Sequence, residues 1–304
     1  MQKSPLQEIK NDLFAEQQVR LLLKRDDLIH PSVSGNKWRK LKYNLQIAQT
    51  VGHDTLLTFG GAFSNHIHAV AAAGKLYGFQ TIGVIRGEPK LPYNPTLAFA
   101  EKQGMQLYFI SRTAYRQKET PSFREELRAQ FGNFYLLPEG GTNELAFKGC
   151  AEIVTEIVEE ISPNYIFTCC GTGGTITGII QGCANLPIAV RGVAALKGNF
   201  LTTDIKQFLS KSTTPYTKDW SIFEDYHFGG YAKFKPALID FINQFKSQYD
   251  IALDPIYTGK LLFGIFDLLS NGYFEKGSTI VAVHTGGLQG IEGFNKRYGE
   301  LINY

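Results

Sequence analysis

From residue 53 onward the chain repeats one phrase: a short apolar run, a turn built from Gly or Ser/Asn, then an amphipathic stretch of helical spacing. That alternation predicts strands and helices taking turns around a parallel sheet. The runs TLLTF (55–59), QTIGVI (80–85), MQLYFI (105–110) and NFYLL (133–137) are expected as strands, each followed by a helix. Beyond Gly140-Gly141, a helix is expected over 143–161, then strands at YIFTCC (165–170), AVRGVAAL (189–196) and TIVAVH (279–284). The early run RLLLKR (20–25) has no helix immediately before it and is expected to pair into this later sheet. The fold class that follows is α/β, with two doubly wound parallel-sheet domains. The expected division is a discontinuous large domain, 1–45 with 145–304, and a small domain, 46–144.

Composition narrows the function. The 304 residues are 43% hydrophobic, which suits a chain that buries a core. With 31 Lys and Arg against 28 Asp and Glu, a net charge of +3 gives no basis for a nucleic-acid partner. The opening MQKSPLQEIKNDL is polar and no 18 apolar residues run together, so neither a signal peptide nor a membrane span is expected, and a cytoplasmic location follows by default. Cys150, Cys169, Cys170 and Cys183 match no CxxC pattern and read as reduced core residues. His66 and His68 stand two apart, diverge on a helix and make a poor metal pair, so no metal is expected.

Three segments carry candidate chemistry. Cys170-Gly171-Thr172-Gly173-Gly174-Thr175 lies between a strand and a helix, where glycines let the backbone approach a ligand and free amides favour a phosphate. It is neither a Walker loop nor GxGxxG, and an ordinary structural turn is the plain alternative. Gly60-Gly61-Ala62-Phe63-Ser64-Asn65-His66 opens an alanine-rich helix. Ser64 or Asn65 would cap that helix, and the same amides and hydroxyl would suit a carboxylate. Ser34-Gly35-Asn36-Lys37-Trp38-Arg39-Lys40-Leu41 is, by composition alone, a basic helix start.

Taken in order, Lys-Arg-Asp-Asp with Gly-Asn-Lys-x-Arg-Lys-Leu, Gly-Gly-x-x-Ser-Asn, the Gly/Thr loop, and Asp254-Pro255-x-Tyr257-x-Gly259-Lys260 before His284-x-Gly286-Gly287 make a sharper pattern. With these motifs, the sequence resembles the pyridoxal-phosphate enzymes that include 1-aminocyclopropane-1-carboxylate deaminase and D-cysteine desulfhydrase, relatives of the tryptophan synthase β subunit. The resemblance covers nearly the whole chain. It implies the cofactor pyridoxal 5'-phosphate, bonded to Lys37, which would also move the proton at the substrate Cα. Lys40 and Gly171, Thr172, Gly173, Gly174 and Thr175 would hold the phosphate. Asn65 would meet the cofactor's phenolic oxygen, and Ser64 with its neighbouring amides the substrate carboxylate. Tyr231 and Tyr257 would crowd the substrate face. The resemblance also implies a homodimer acting on a small amino acid.

Within that family, deaminases carry Glu after the tyrosine of the Asp-Pro motif and Leu after the late histidine, whereas this chain has Thr258 and Thr285 near the expected pyridine nitrogen. His66, in place of the deaminases' Gln, also resembles desulfhydrases, and the resemblance implies that it meets the substrate together with Ser64 and Asn65. The expected reaction is therefore β-elimination from a D-amino acid such as D-cysteine. Ring opening of the cyclopropane substrate, dehydratase or racemase action, and a non-catalytic phosphate-ligand module are the rivals. One departure touches the pocket wall: Tyr231 is not followed by the family's usual Gly-x-Pro-Asn.

Overall fold

The computed structural model describes residues 3–304. Among the described residues, ten strands form two sheets. In chain order they are β1 (Leu6–Ile9), β2 (Arg20–Lys24), β3 (Thr55–Gly61), β4 (Gln80–Arg86), β5 (Gln106–Ile110), β6 (Tyr135–Leu137), β7 (Tyr165–Cys170), β8 (Ala189–Ala194), β9 (Trp220–Phe223) and β10 (Thr279–Val283). The larger sheet has the order β1-β2-β10-β7-β8-β9, and the smaller β5-β4-β3-β6. Every pairing is parallel except β1 with β2. The early run does join the later sheet, with Arg20 to Lys24 in register with Thr279 to Val283.

Alternation along the strands explains why both faces of each sheet are covered. On β2 and β10, Leu21, Leu23, Ile280 and Ala282 enter one apolar cluster, while Leu22, Val281 and Val283 enter another on the opposite face. In the small sheet Leu56 and Ile85 face one way, and Leu57, Phe59, Ile82 and Val84 the other. The four cysteines are free and buried, with Cys169 and Cys170 on opposite faces of β7. Among the described residues no helix is long and apolar enough to cross a membrane.

The helix Asn36–Thr50 runs unbroken through residue 45 and touches both layers. Leu41, Leu45 and Ala48 enter the core of the small sheet. Arg39 and Lys42 instead pair with Glu156 and Glu152 of the helix Glu144–Val158, which packs on the large sheet. The start of this helix is thereby held at the seam between the sheets, at the carboxyl ends of their strands, where open parallel sheets bind ligands.

Candidate active site

Lys37 sits in the first turn of the helix Asn36–Thr50, which begins after Gly35. Gly35 has φ +63, and a Cβ there would lie 1.9 Å from the Thr285 carbonyl oxygen, so only glycine admits this approach of the helix start to the segment after β10. The Lys37 Nζ donates to Asn36 Oδ1 at 3.0 Å, and Asn36 Nδ2 donates to Thr175 Oγ1 at 2.8 Å. A narrow cavity opens beside the amine, lined by Ser34, Asn65, Thr285, Gly287 and Gln289. Burial, and then the charge of Lys40, brings the Lys37 amine down to about 7. It is therefore neutral in a large fraction of molecules at neutral pH.

Lys40 is buried, and burial lowers its pKa as well. Its Nζ donates to the Gly140 carbonyl at 2.9 Å and to Thr142 Oγ1 at 3.3 Å, and Thr142 Oγ1 lies 2.8 Å from Thr172 Oγ1. The helix Gly174–Gly182 starts at Gly173 (φ +79) with no side-chain cap, which leaves its first amides free. A Cβ on Gly174 would come within 2.9 Å of Lys40 Nζ and 2.7 Å of Thr142 Oγ1. Bare amides, an ammonium and two hydroxyls thus surround a place kept clear of side chains, a donor set that fits a phosphate.

Ser64 caps the helix Asn65–Tyr77, accepting from the amides of His66 at 3.2 Å and Ile67 at 3.3 Å, while its own hydroxyl hydrogen remains available to a ligand. Asn65 faces the Lys37 cavity, where its Oδ1 accepts from Gln289 Nε2 at 2.9 Å. His66 lies deeper: it is 1% exposed, its Nε2 is 2.9 Å from Thr58 Oγ1 on β3, and its Nδ1 has no partner. Burial, with the charges of Lys37 and Lys40, holds its pKa well below the ordinary histidine value, so the ring is neutral.

Tyr257 stands beside the glycine loop, with its Cε1 3.2 Å from where a Cβ on Gly171 would be. Its ring centroid is 6.5 Å from that of Tyr231, whose hydroxyl donates to the Phe63 carbonyl at 3.5 Å. The two tyrosines thereby meet each other and the Ser64 turn across the seam. Thr258 is engaged otherwise: its hydroxyl donates to Asp254 Oδ2 at 2.7 Å and accepts from the Asp254 amide at 2.8 Å. The Asp254 carboxylate also accepts from the amides of Ile256, Tyr257 and Thr258. Of the two threonines, Thr285 is the one that lines the Lys37 cavity.

Three contributors carried no expected role: Gln289 against Asn65, Thr142 against Lys40, and Asp254, whose carboxylate binds the amides of Ile256 to Thr258. Asp254-Pro255 is itself a turn signal, since an Asp side chain binds amides two and three residues on, and it was available to pattern reading. Gln289 and Thr142 lie in stretches with no comparable signal.

The comparisons with known proteins agree with this geometry. A family model described as pyridoxal-phosphate dependent enzyme matches residues 2–286. A Pyrococcus horikoshii protein provisionally named as a 1-aminocyclopropane-1-carboxylate deaminase is 30% identical, over 99% of this chain and 94% of its own length. The Arabidopsis thaliana bifunctional D-cysteine desulfhydrase/1-aminocyclopropane-1-carboxylate deaminase is 29% identical, over 89% of this chain and 73% of its own. The crystal structure of a homologue of 1-aminocyclopropane-1-carboxylate deaminase superposes with a TM-score of 0.85 at 27% identity, over 99% of this chain and 94% of that one.

Proposed function

The chain belongs to the pyridoxal-phosphate dependent enzyme family, among relatives named for 1-aminocyclopropane-1-carboxylate deaminase and D-cysteine desulfhydrase, and from that premise we propose that it eliminates sulfide from D-cysteine or a close D-amino acid. The products would be pyruvate, ammonia and sulfide. Gly171 to Thr175 with Lys40 would hold the cofactor phosphate, Asn65 its phenolic oxygen and Lys37 its aldehyde carbon. When bound, the cofactor supplies a conjugated ring that accepts the electron pair left at the substrate Cα. Lys37, neutral in a large fraction near pH 7, takes the Cα proton. The Cβ–S bond then breaks with its electron pair leaving on sulfur. The amides after Ser64 would hold the substrate carboxylate, while Tyr231 and Tyr257 would flank the substrate face.

One observation carries the choice of reaction. The wall of the Lys37 cavity offers the Thr285 hydroxyl, and the nearby carboxylate, Asp254, is taken up by the amides of its own helix start and by Thr258. A ring nitrogen without a free carboxylate is not held protonated and is a weaker electron sink. Loss of a good leaving group after Cα deprotonation asks less of that sink than opening a cyclopropane that has no Cα hydrogen. The second reading is ring opening to 2-oxobutyrate and ammonia, because the relatives carry both names.

A substrate panel decides between them. D-cysteine, the cyclopropane amino acid, D-serine and L-serine are assayed for sulfide and keto acid. The expected result is sulfide with equimolar pyruvate from D-cysteine and at least about tenfold lower kcat/KM on the others. Ring opening at a comparable rate transfers the assignment to the second reading. Borohydride reduction of the coloured protein should fix the cofactor on Lys37.

A further inference from the structure

Lys260 lies three residues after Tyr257 in the helix Thr258–Ser270, and none of its surface is open to solvent. Its Nζ donates to the backbone carbonyls of Ala195 at 3.2 Å, His227 at 2.9 Å and Gly230 at 2.8 Å. An ammonium has three hydrogens to give, and here each finds a carbonyl. Lys24, equally buried, is neutralised by Glu156 at 2.7 Å, whereas Lys260 donates to three uncharged carbonyls. Burial brings this amine down to about 8, with Cys169 and Asp254 working the other way, so the ammonium form still predominates at pH 7.

The three carbonyls belong to segments that bear the candidate site. Ala195 follows β8, and its amide donates to the carbonyl of Cys170, the residue before Gly171. His227 and Gly230 bracket the approach to Tyr231. That approach is conformationally costly, because Phe228 (φ 54), Gly229 (φ 101), Gly230 (φ 119) and Ala232 (φ 53) all have left-handed backbone. Two of them are not glycine, and such backbone persists only where its surroundings fix it.

We propose that Lys260 is a positioning residue, a built-in monovalent cation whose carbonyl-lined seat fastens the Tyr231 segment and the end of β8 to the Tyr257 helix. Its bearing on turnover rests on the function proposed above, since it acts by placing the two tyrosines; the cation seat itself does not. A seat of carbonyl oxygens at these distances is of the type that accepts potassium or ammonium in place of the lysine head.

The test is Lys260→Ala holoenzyme, assayed in lithium, potassium and ammonium chloride on whichever of D-cysteine and the cyclopropane amino acid the wild type turns over faster. In lithium, kcat/KM is expected to fall at least about tenfold, mainly through KM; potassium or ammonium at about 100 mM should bring it back to within about threefold of wild type. Wild-type values in lithium, or an equal loss in all three salts, overturn the proposal. Hydrogen exchange of the wild-type holoenzyme gives a reading that needs neither a folded variant nor a known substrate. The amides of Gly230 and Lys233 should be protected as strongly as those of β8, and exchange at exposed-loop rates overturns the clamp.

Discussion

Three basic residues within four positions of one helix, Lys37, Arg39 and Lys40, meet opposite electrostatic fates. The Arg39 guanidinium reaches Asp26 at 2.9 Å and Glu156 at 2.8 Å, and Lys24 joins the same group through Glu156 at 2.7 Å. Burial works against the Glu156 charge, yet Arg39 and Lys24 hold its pKa below the ordinary range. On the neighbouring face Lys37 and Lys40 meet only amide, carbonyl and hydroxyl oxygens, and each lowers its pKa through burial. Matched charges tie the helix to its support. Unmatched ones, beside bare amides at a helix start, are kept at a cost that only an incoming anion or a chemical task offsets. The same helix thus serves as a strut on one face and as a reactive surface on the other.

That division can be broken first at the reactive face. Lys37→Ala should reduce turnover at least about a thousandfold and abolish borohydride fixation of the cofactor, because Lys37 is the lysine among the residues that line the cavity. Its urea midpoint should stay near that of wild type, since the amine removed has no ion-pair partner. At the supporting face the effects reverse. Arg39→Met strands the buried Asp26 carboxylate and should cost about 3–5 kcal/mol of stability, read from urea unfolding. Turnover per folded, cofactor-loaded molecule should change far less than in Lys37→Ala. Should Arg39→Met lose activity without losing stability, strut and reactive surface are not separable.

The same contrast marks what the sequence made legible. Strands β2, β3, β4, β5, β6, β7, β8 and β10 announce themselves through apolar runs between turns. Strands β1 and β9, LQEI and WSIF, are edges interrupted by polar residues, so no continuous apolar run marks them. At the site, the motifs brought out Lys37, Lys40, Asn65, Tyr231 and Tyr257, which the fold gathers at one seam. What pattern could not supply is side-chain direction and distant pairing. The Thr258 hydroxyl turns back to Asp254 four residues earlier, and His66 points down to Thr58 instead of into the cavity. Gln289 meets Asn65 across 224 positions, and Thr142 meets Lys40 across 102. Contacts of that kind exist only once the two sheets have been brought together.

The finest effect concerns the coupling between the two unmatched lysines. A lysine adds to an aldehyde only as the free amine, so cofactor uptake by stripped protein should be fastest above the Lys37 pKa. Uptake should fall about tenfold for each pH unit below it, with a midpoint near 7. The Lys40 charge lowers that pKa by disfavouring a second ammonium nearby. Lys40→Met removes the repulsion, so the Lys37 ammonium persists to higher pH and the uptake midpoint should move upward, towards the ordinary lysine range, without reaching it because burial remains. Stopped-flow absorbance at saturating cofactor, from pH 6 to 9, reads the midpoint separately from the weaker phosphate binding that the same substitution causes. A midpoint that stays at 7 would mean that burial alone sets the Lys37 amine, and that Lys40 serves the phosphate only.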